Sequence, residues 1–178
     1  MTMNKKSTSE GNPMLRPKIE KVVVNISVGE SGKPLENATK VLKGLTGQNP
    51  CKRKAKQTIR DFGIRKGEPI ACMATLRNEV AEKFLQLVLP VIDKTLSKNC
   101  FDQYGNFSFG IKEHIEIPGV RYRPEIGIFG MDVSISLIRP GYRVKRRQKK
   151  RSKIGSKHIL LAEEAKVFVQ DRLEVQIE

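Results

Sequence analysis

Tryptophan is absent from the 178 residues, histidine occurs twice and cysteine three times. Each scarcity removes a class of function. Cys51, Cys72 and Cys100 are odd in number and widely spaced, which fits free thiols in a reducing cytoplasm rather than a disulfide framework. With only His114 and His158, and no close cysteine pair, a zinc site would need distant ligands to converge. Uncharged stretches such as Phe84 to Ile92 fall far short of the ~20 apolar residues of a membrane-spanning helix. The opening segment has no apolar run of the kind a signal peptide carries; polar, with Gly11 and Pro13, residues 1–15 read as a disordered tail. Residues 16–178 suffice for a single domain with a real core.

What the chain has in excess is positive charge, and the charge is concentrated. Lys52 to Lys66 holds seven basic residues against Asp61, and Arg139 to Lys157 holds ten with no acid. These stretches contribute +6 and +10 to a net charge of +15, so the remainder sums to −1. Two charged blocks on a nearly neutral body point to a polyanion bound at defined surfaces, with nucleic acid the first candidate. Basic loops are accordingly expected at 52–66 and 139–158. From the first come Lys52, Arg53 and Lys54, and from the second Arg143, Lys145, Arg146, Arg147, Lys149, Lys150, Arg151 and Lys153, as candidate phosphate contacts. The second loop is tethered between a strand and a helix; self-repulsion predicts that it is mobile when free and ordered by phosphates. The first mixes cations with Phe62, Gly63 and Gly67, a composition able to combine phosphate contact with stacking. An ordinary loop with Phe62 packed inward is the alternative.

Hydrophobic periodicity organises the rest. Lys18 to Val28 alternates, with Val22, Val24 and Ile26 on one face and Lys21, Asn25 and Ser27 on the other. Pro34 opens a helix with Leu35, Ala38, Val41 and Leu42 at helical spacing, ending at Gly44 or Gly47. A second strand from Pro69 sets Ile70, Cys72, Ala74 and Leu76 against Ala71, Met73, Thr75 and Arg77. Asn78 is placed to cap a long helix with Val80, Phe84, Leu87, Val88, Val91 and Ile92, kinked at Pro90. Phe107–Ile111, His114–Ile117 and Met131–Ile138 read as strands, and 160–172 as a closing helix with Leu161, Ala165 and Phe168 inward. This order predicts an α+β fold: an antiparallel sheet with helices packed on one face and the other face open. An open face bearing Lys21, Asn25, Thr75 and Arg77 is either an RNA platform or a solvated sheet surface.

Catalytic constellations are not found. Ser27-Val-Gly-Glu-Ser-Gly-Lys33 resembles a phosphate loop, but Ser27 stands where the first glycine is required and Pro34 where the magnesium-binding hydroxyl belongs. His114 and Glu116 mimic a deaminase His-x-Glu, yet no Pro-Cys-x-x-Cys follows. No enzyme and no cofactor are expected. An RNA-modifying enzyme, or a basic RNA-binding protein of another kind, is the runner-up, and an anionic-membrane binder lacks the apolar helical face it would need.

The runs Val22-Val-Val-Asn-Ile-Ser-Val-Gly-Glu30, Leu45-Thr-Gly-Gln-Asn-Pro50, Ile64-Arg-Lys-Gly-Glu-Pro-Ile70, Thr75-Leu-Arg77, Phe109-Gly-Ile-Lys-Glu113 and Gly130-Met-Asp132 carry a family resemblance. In order and spacing they resemble the large-subunit ribosomal protein five family, the 5S rRNA-binding ribosomal proteins, from about Leu15 to Arg172. The basic insertion between Arg139 and His158 resembles the archaeal and eukaryotic branch. The resemblance implies a structural protein of the large ribosomal subunit in the cytoplasm, attaching 5S rRNA to the large rRNA in the central protuberance beside other ribosomal proteins. It also implies that Asn25, Gln48 and Thr75 lie in the 5S rRNA contact. The loop Thr58, Ile59, Arg60, Asp61, Phe62, Gly63, Ile64 and Arg65 would approach peptidyl-site tRNA.

Overall fold

The computed structural model describes residues 12–121 and 123–178. Most of the expected tail over residues 1–15 lies outside them. Its last residues form a 3-10 turn, Pro13–Leu15, in which the Asn12 carboxamide oxygen accepts the Met14 N–H at 2.9 Å.

The strands among the described residues are β1 (Lys18–Ser27), β2 (Cys51–Lys54), β3 (Pro69–Leu76), β4 (Thr95–Leu96), β5 (Phe107–Ile111), β6 (Met131–Ile138) and β7 (Gln176–Ile177). Five of them form one sheet in the order β2-β3-β1-β6-β5, and every neighbouring pair is antiparallel. The expected α+β architecture is the one found. The helices are α1 (Lys33–Thr46), α2 (Asn78–Val88), α3 (Arg143–Arg146) and α4 (Ala162–Leu173). Alternation decides which side they cover. Val22, Val24 and Ile26 of β1, Cys72, Ala74 and Leu76 of β3, and Val133, Ile135 and Leu137 of β6 share one core with Leu35, Ala38 and Leu42 of α1 and Phe84, Leu85 and Val88 of α2. Each fully buried aliphatic side chain contributes roughly 1.5–3 kcal/mol. The opposite face of the sheet is left open.

Local chemistry sets the boundaries. Pro34 occupies the first turn of α1, and Gly47 ends it in the left-handed region at φ 67°, its N–H donating to the Lys43 carbonyl at 2.9 Å. At Gly105 (φ 74°) an added Cβ would stand 2.6 Å from the Ala165 Cβ, so the turn before β5 requires glycine twice over.

Several expectations need correction. Lys52, Arg53 and Lys54 are not loop residues: β2 pairs with β3 and forms the edge of the sheet. Charged side chains suit an edge strand, because they discourage pairing with another chain. Asn78 makes no side-chain cap; it is the first residue of α2, at φ 54°. Proline breaks this helix instead of kinking it: α2 ends at Val88 and Leu89–Ile92 continues as a 3-10 turn. Its buried stripe is Ala81, Phe84, Leu85 and Val88, which puts Val80 and Leu87 off phase and in solvent. His114–Glu116 is a 3-10 turn, not a strand, because the chain folds back there to pair His114 with Phe129. In α4 the inward residues are Ala165 and Val169, while Phe168 is half-buried and Leu161, still extended at φ −93°, precedes the helix and is exposed. The parallel pair β4·β7 was not foreseen, since two-residue strands carry no periodicity.

Candidate nucleic-acid interface

The register of the sheet assembles the open face in rows. Met73, Asn25 and Asp132 lie side by side across β3, β1 and β6, with Cys51 and Gly110 continuing the row outward on β2 and β5. Thr75, Val23, Ser134 and Ser108 form the next row, and Lys21 opposes Ser136. Asn25 and Thr75 therefore share one face, diagonal to each other on adjacent strands. The Asn25 amide donates to the Ser27 hydroxyl at 2.9 Å, which fixes its orientation while leaving it partly accessible. Gln48 lies exposed on the connection from α1 to β2, and Arg77 lies exposed where β3 gives way to α2.

The first basic block continues from β2 into a hairpin. Ala55 and Glu68 pair at its base (N···O 2.8 Å), and Ile59 and Ile64 exchange two backbone hydrogen bonds of 2.9 and 3.1 Å around the turn Arg60 to Gly63. The Thr58 hydroxyl accepts the Lys66 N–H at 3.0 Å. Glu68 clamps the structure, accepting the Ser31 hydroxyl at 2.5 Å and the Arg65 N–H at 3.1 Å. The Ser31 bond, and then the Arg65 N–H, hold its carboxyl below the usual carboxylate range. At the tip Phe62 is 74% exposed, which overturns the inward-packed alternative.

The second block is tied back to the domain at several points. Arg139 turns inward, its guanidinium donating to the Glu164 carboxylate at 2.7 Å and to the Lys157 and Ile159 carbonyls at 3.5 Å. Tyr142 ties the segment to its far end, donating to the His158 carbonyl at 3.3 Å and accepting the Leu160 N–H at 2.9 Å. Arg146 pairs with Glu20, the extra residue of a bulge in β1 where the register against β6 shifts between Ile19 and Lys21. Arg147 donates to the Lys150 carbonyl at 2.7 Å. Among the described residues no ion pair engages Arg143, Lys145, Lys149, Lys150, Arg151 or Lys153. These cations stand exposed.

Topology separates the two blocks. The hairpin feeds into β3 beside Ser27, whereas the insertion leaves β6 beside Lys18. The ten residues of β1 lie between them, about 30 Å at the usual strand rise. A polar face with a positive segment at either end is a surface shaped for an extended polyanion.

A family model described as ribosomal protein L5 matches residues 12–65, and the model of that family's C-terminus matches residues 69–168. The chain belongs to the ribosomal protein L5 family. Its relatives include three archaeal proteins, each named large ribosomal subunit protein uL5. That of Pyrobaculum aerophilum is 52% identical over 169 residues, covering 95% of this chain and 94% of the relative. That of Sulfolobus acidocaldarius is 48% identical over 175 residues, 98% of both. That of Methanococcoides burtonii is 47% identical over 167 residues, 94% of this chain and 99% of the relative. This L5-family chain is a structural, non-enzymatic ribosomal protein whose partners are rRNA and other ribosomal proteins. The enzyme alternative is set aside.

Three features of this L5-family surface escaped the sequence reading. Ser108 of β5 joins the polar face beside Ser134 and Ser136, which the alternation of β6 already turns outward. Glu20 and Glu68 act as anchors for the basic segments, but an acid's partner more than a hundred residues away, as Arg146 is for Glu20, leaves no local signal. Tyr104, 60% exposed, stands beside the insertion, in a segment with no hydrophobic period to signal it.

Proposed function

We propose that this protein binds 5S rRNA through the open sheet face and joins it to the large rRNA in the central protuberance of the large ribosomal subunit, in the cytoplasm. The observation that carries this reading is the polar face of Asn25, Thr75 and the β6 serines, flanked at opposite ends by basic segments, with Arg143, Lys145, Lys149, Lys150, Arg151 and Lys153 in no ion pair among the described residues. Asn25, Gln48, Thr75, Lys21 and Arg77 recognise RNA shape and unpaired bases, while Lys52, Arg53, Lys54 and the insertion cations supply phosphate contacts. The hairpin Thr58 to Arg65, rigid at its base and aromatic at its tip, is suited to reach peptidyl-site tRNA.

The test is binding of the purified protein to 5S rRNA and to a scrambled RNA of equal length, over a range of salt. Selectivity for 5S rRNA is expected, with a slope of log affinity against log salt on the order of −4 to −5 for roughly six phosphates. Equal affinity for both RNAs, or a flat salt response, refutes the reading.

A further inference from the structure

Between the insertion and the end of the sheet lies a cleft of about 920 Å³. Its lining includes Tyr104, which is 60% exposed, the cations Lys145, Arg151 and Lys153, and the aliphatic side chains of Ile138 and Ile154. None of the three cations has an acid partner among the described residues. Two polar groups of the lining are already satisfied: the Asn106 carboxamide oxygen accepts the Ser136 hydroxyl at 3.0 Å and the Leu137 N–H at 3.2 Å, and the Asn106 amide donates to Asp102 at 2.8 Å. What remains to offer a ligand is an aromatic ring and positive charge.

The ring is held on a stiff turn. The Asp102 carboxylate accepts the N–H groups of Tyr104 (2.9 Å) and Asn106 (2.7 Å), while Gly105 backs onto Ala165 too closely for any side chain. Arg146, also in the lining, ties the insertion to Glu20 of β1. The turn that carries Tyr104 and the segment that carries the cations are thus each held by contacts within the chain.

We propose that this cleft is a pocket for one unpaired RNA nucleotide, its base stacked on Tyr104 and its phosphate held by Lys145, Arg151 and Lys153. The inference rests on the RNA-binding reading above and deepens it. A paired base cannot enter, because its ring faces are covered by its neighbours in the helix; a bulged or looped-out nucleotide exposes one. Stacking on an aromatic ring tolerates any base, so the pocket reads strand geometry more than sequence.

The experiment uses the full chain and two RNA hairpins, identical except that one carries a single-nucleotide bulge. The wild type is expected to prefer the bulged hairpin. Tyr104→Ala should weaken binding to it by roughly 5- to 150-fold, and Tyr104→Phe should retain the preference, since the ring and not the hydroxyl does the stacking. With 5-iodouridine at the bulge, photocrosslinking should fall on Tyr104. Equal wild-type affinity for the two hairpins, an unchanged preference in Tyr104→Ala, or a crosslink elsewhere overturns the pocket while leaving general RNA binding standing. A wild type that binds neither hairpin nor 5S rRNA overturns the broader reading instead.

Discussion

Arg146 reaches back 126 residues in sequence to Glu20, a carboxylate with a side chain only 6% exposed that also accepts the Ser136 hydroxyl at 3.2 Å. The ion pair fastens the basic insertion to the central strand of the sheet at a bulge. One of the insertion's cations therefore has an anchoring role as well as a positive charge.

Removing either partner should have unequal effects. Arg146→Ala strands the Glu20 carboxylate in a nearly buried site and is expected to cost about 1–3 kcal/mol. Glu20→Gln leaves an exposed arginine free to find water and should cost less. The double variant should recover part of the Arg146→Ala loss, as read by chemical denaturation. A double variant no more stable than Arg146→Ala would mean that the stranded charge is not the source of the loss.

The two faces of β1 should answer to different assays. Val24→Ala empties a fully buried position and should cost roughly 1–3 kcal/mol with 5S rRNA selectivity unchanged in the folded fraction. Asn25→Ala and Thr75→Ala should melt within about 0.5 kcal/mol of the parent, as for surface substitutions, yet lose selectivity for 5S rRNA. Thermal melts paired with RNA titrations check both halves.

The two basic segments, at opposite ends of the sheet, should separate in ribosome assays. Arg60→Ala with Arg65→Ala removes charge from the hairpin and keeps the Arg65 backbone N–H that Glu68 accepts. Incorporation into the large subunit should persist while peptidyl-site tRNA occupancy falls. Replacing Lys149, Lys150, Arg151 and Lys153 with Gln should instead impair incorporation, because phosphate contacts are lost together. Subunit pelleting followed by tRNA binding distinguishes the outcomes, and the reverse pattern would rule out this division.

Acid should destabilise the fold through His114. It is 3% exposed, its Nδ1 accepts the Phe129 N–H at 3.2 Å, and burial holds its imidazole below the usual histidine range. With the folded-state value below the unfolded one, the unfolded chain takes up the proton first as pH falls. The stability from neutral His114 is complete above the unfolded value, near 6.5, and is lost as pH drops through the folded value. Denaturation at about pH 7 and about pH 5 should show a drop in the parent that is smaller in His114→Gln, and NMR titration should place His114 below free histidine.

Alternation and charge were enough to read the sheet, the helices over one face and the two basic segments, because each depends on residues a few positions apart. Val22, Val24 and Ile26 face the core as their period of two requires, and Lys21 and Asn25 face away. The errors fall where tertiary contacts override local pattern. Lys52 to Lys54 look like a charged loop until β3 offers an unpaired edge, and His114 looks like a strand residue until Phe129 folds back onto it.

The α+β class, the open polar face and the placement of charge along the chain follow from backbone period and side-chain type, which are local properties. How that charge is deployed depends on contacts between distant segments. Strand order puts the hairpin and the insertion at opposite ends of β1, the bulge at Glu20 captures Arg146, and the turn at Gly105 brings Tyr104 to the cleft beside Lys145. Those juxtapositions depend on register and on close packing between residues far apart in the chain, and neither has a period that can be read along it.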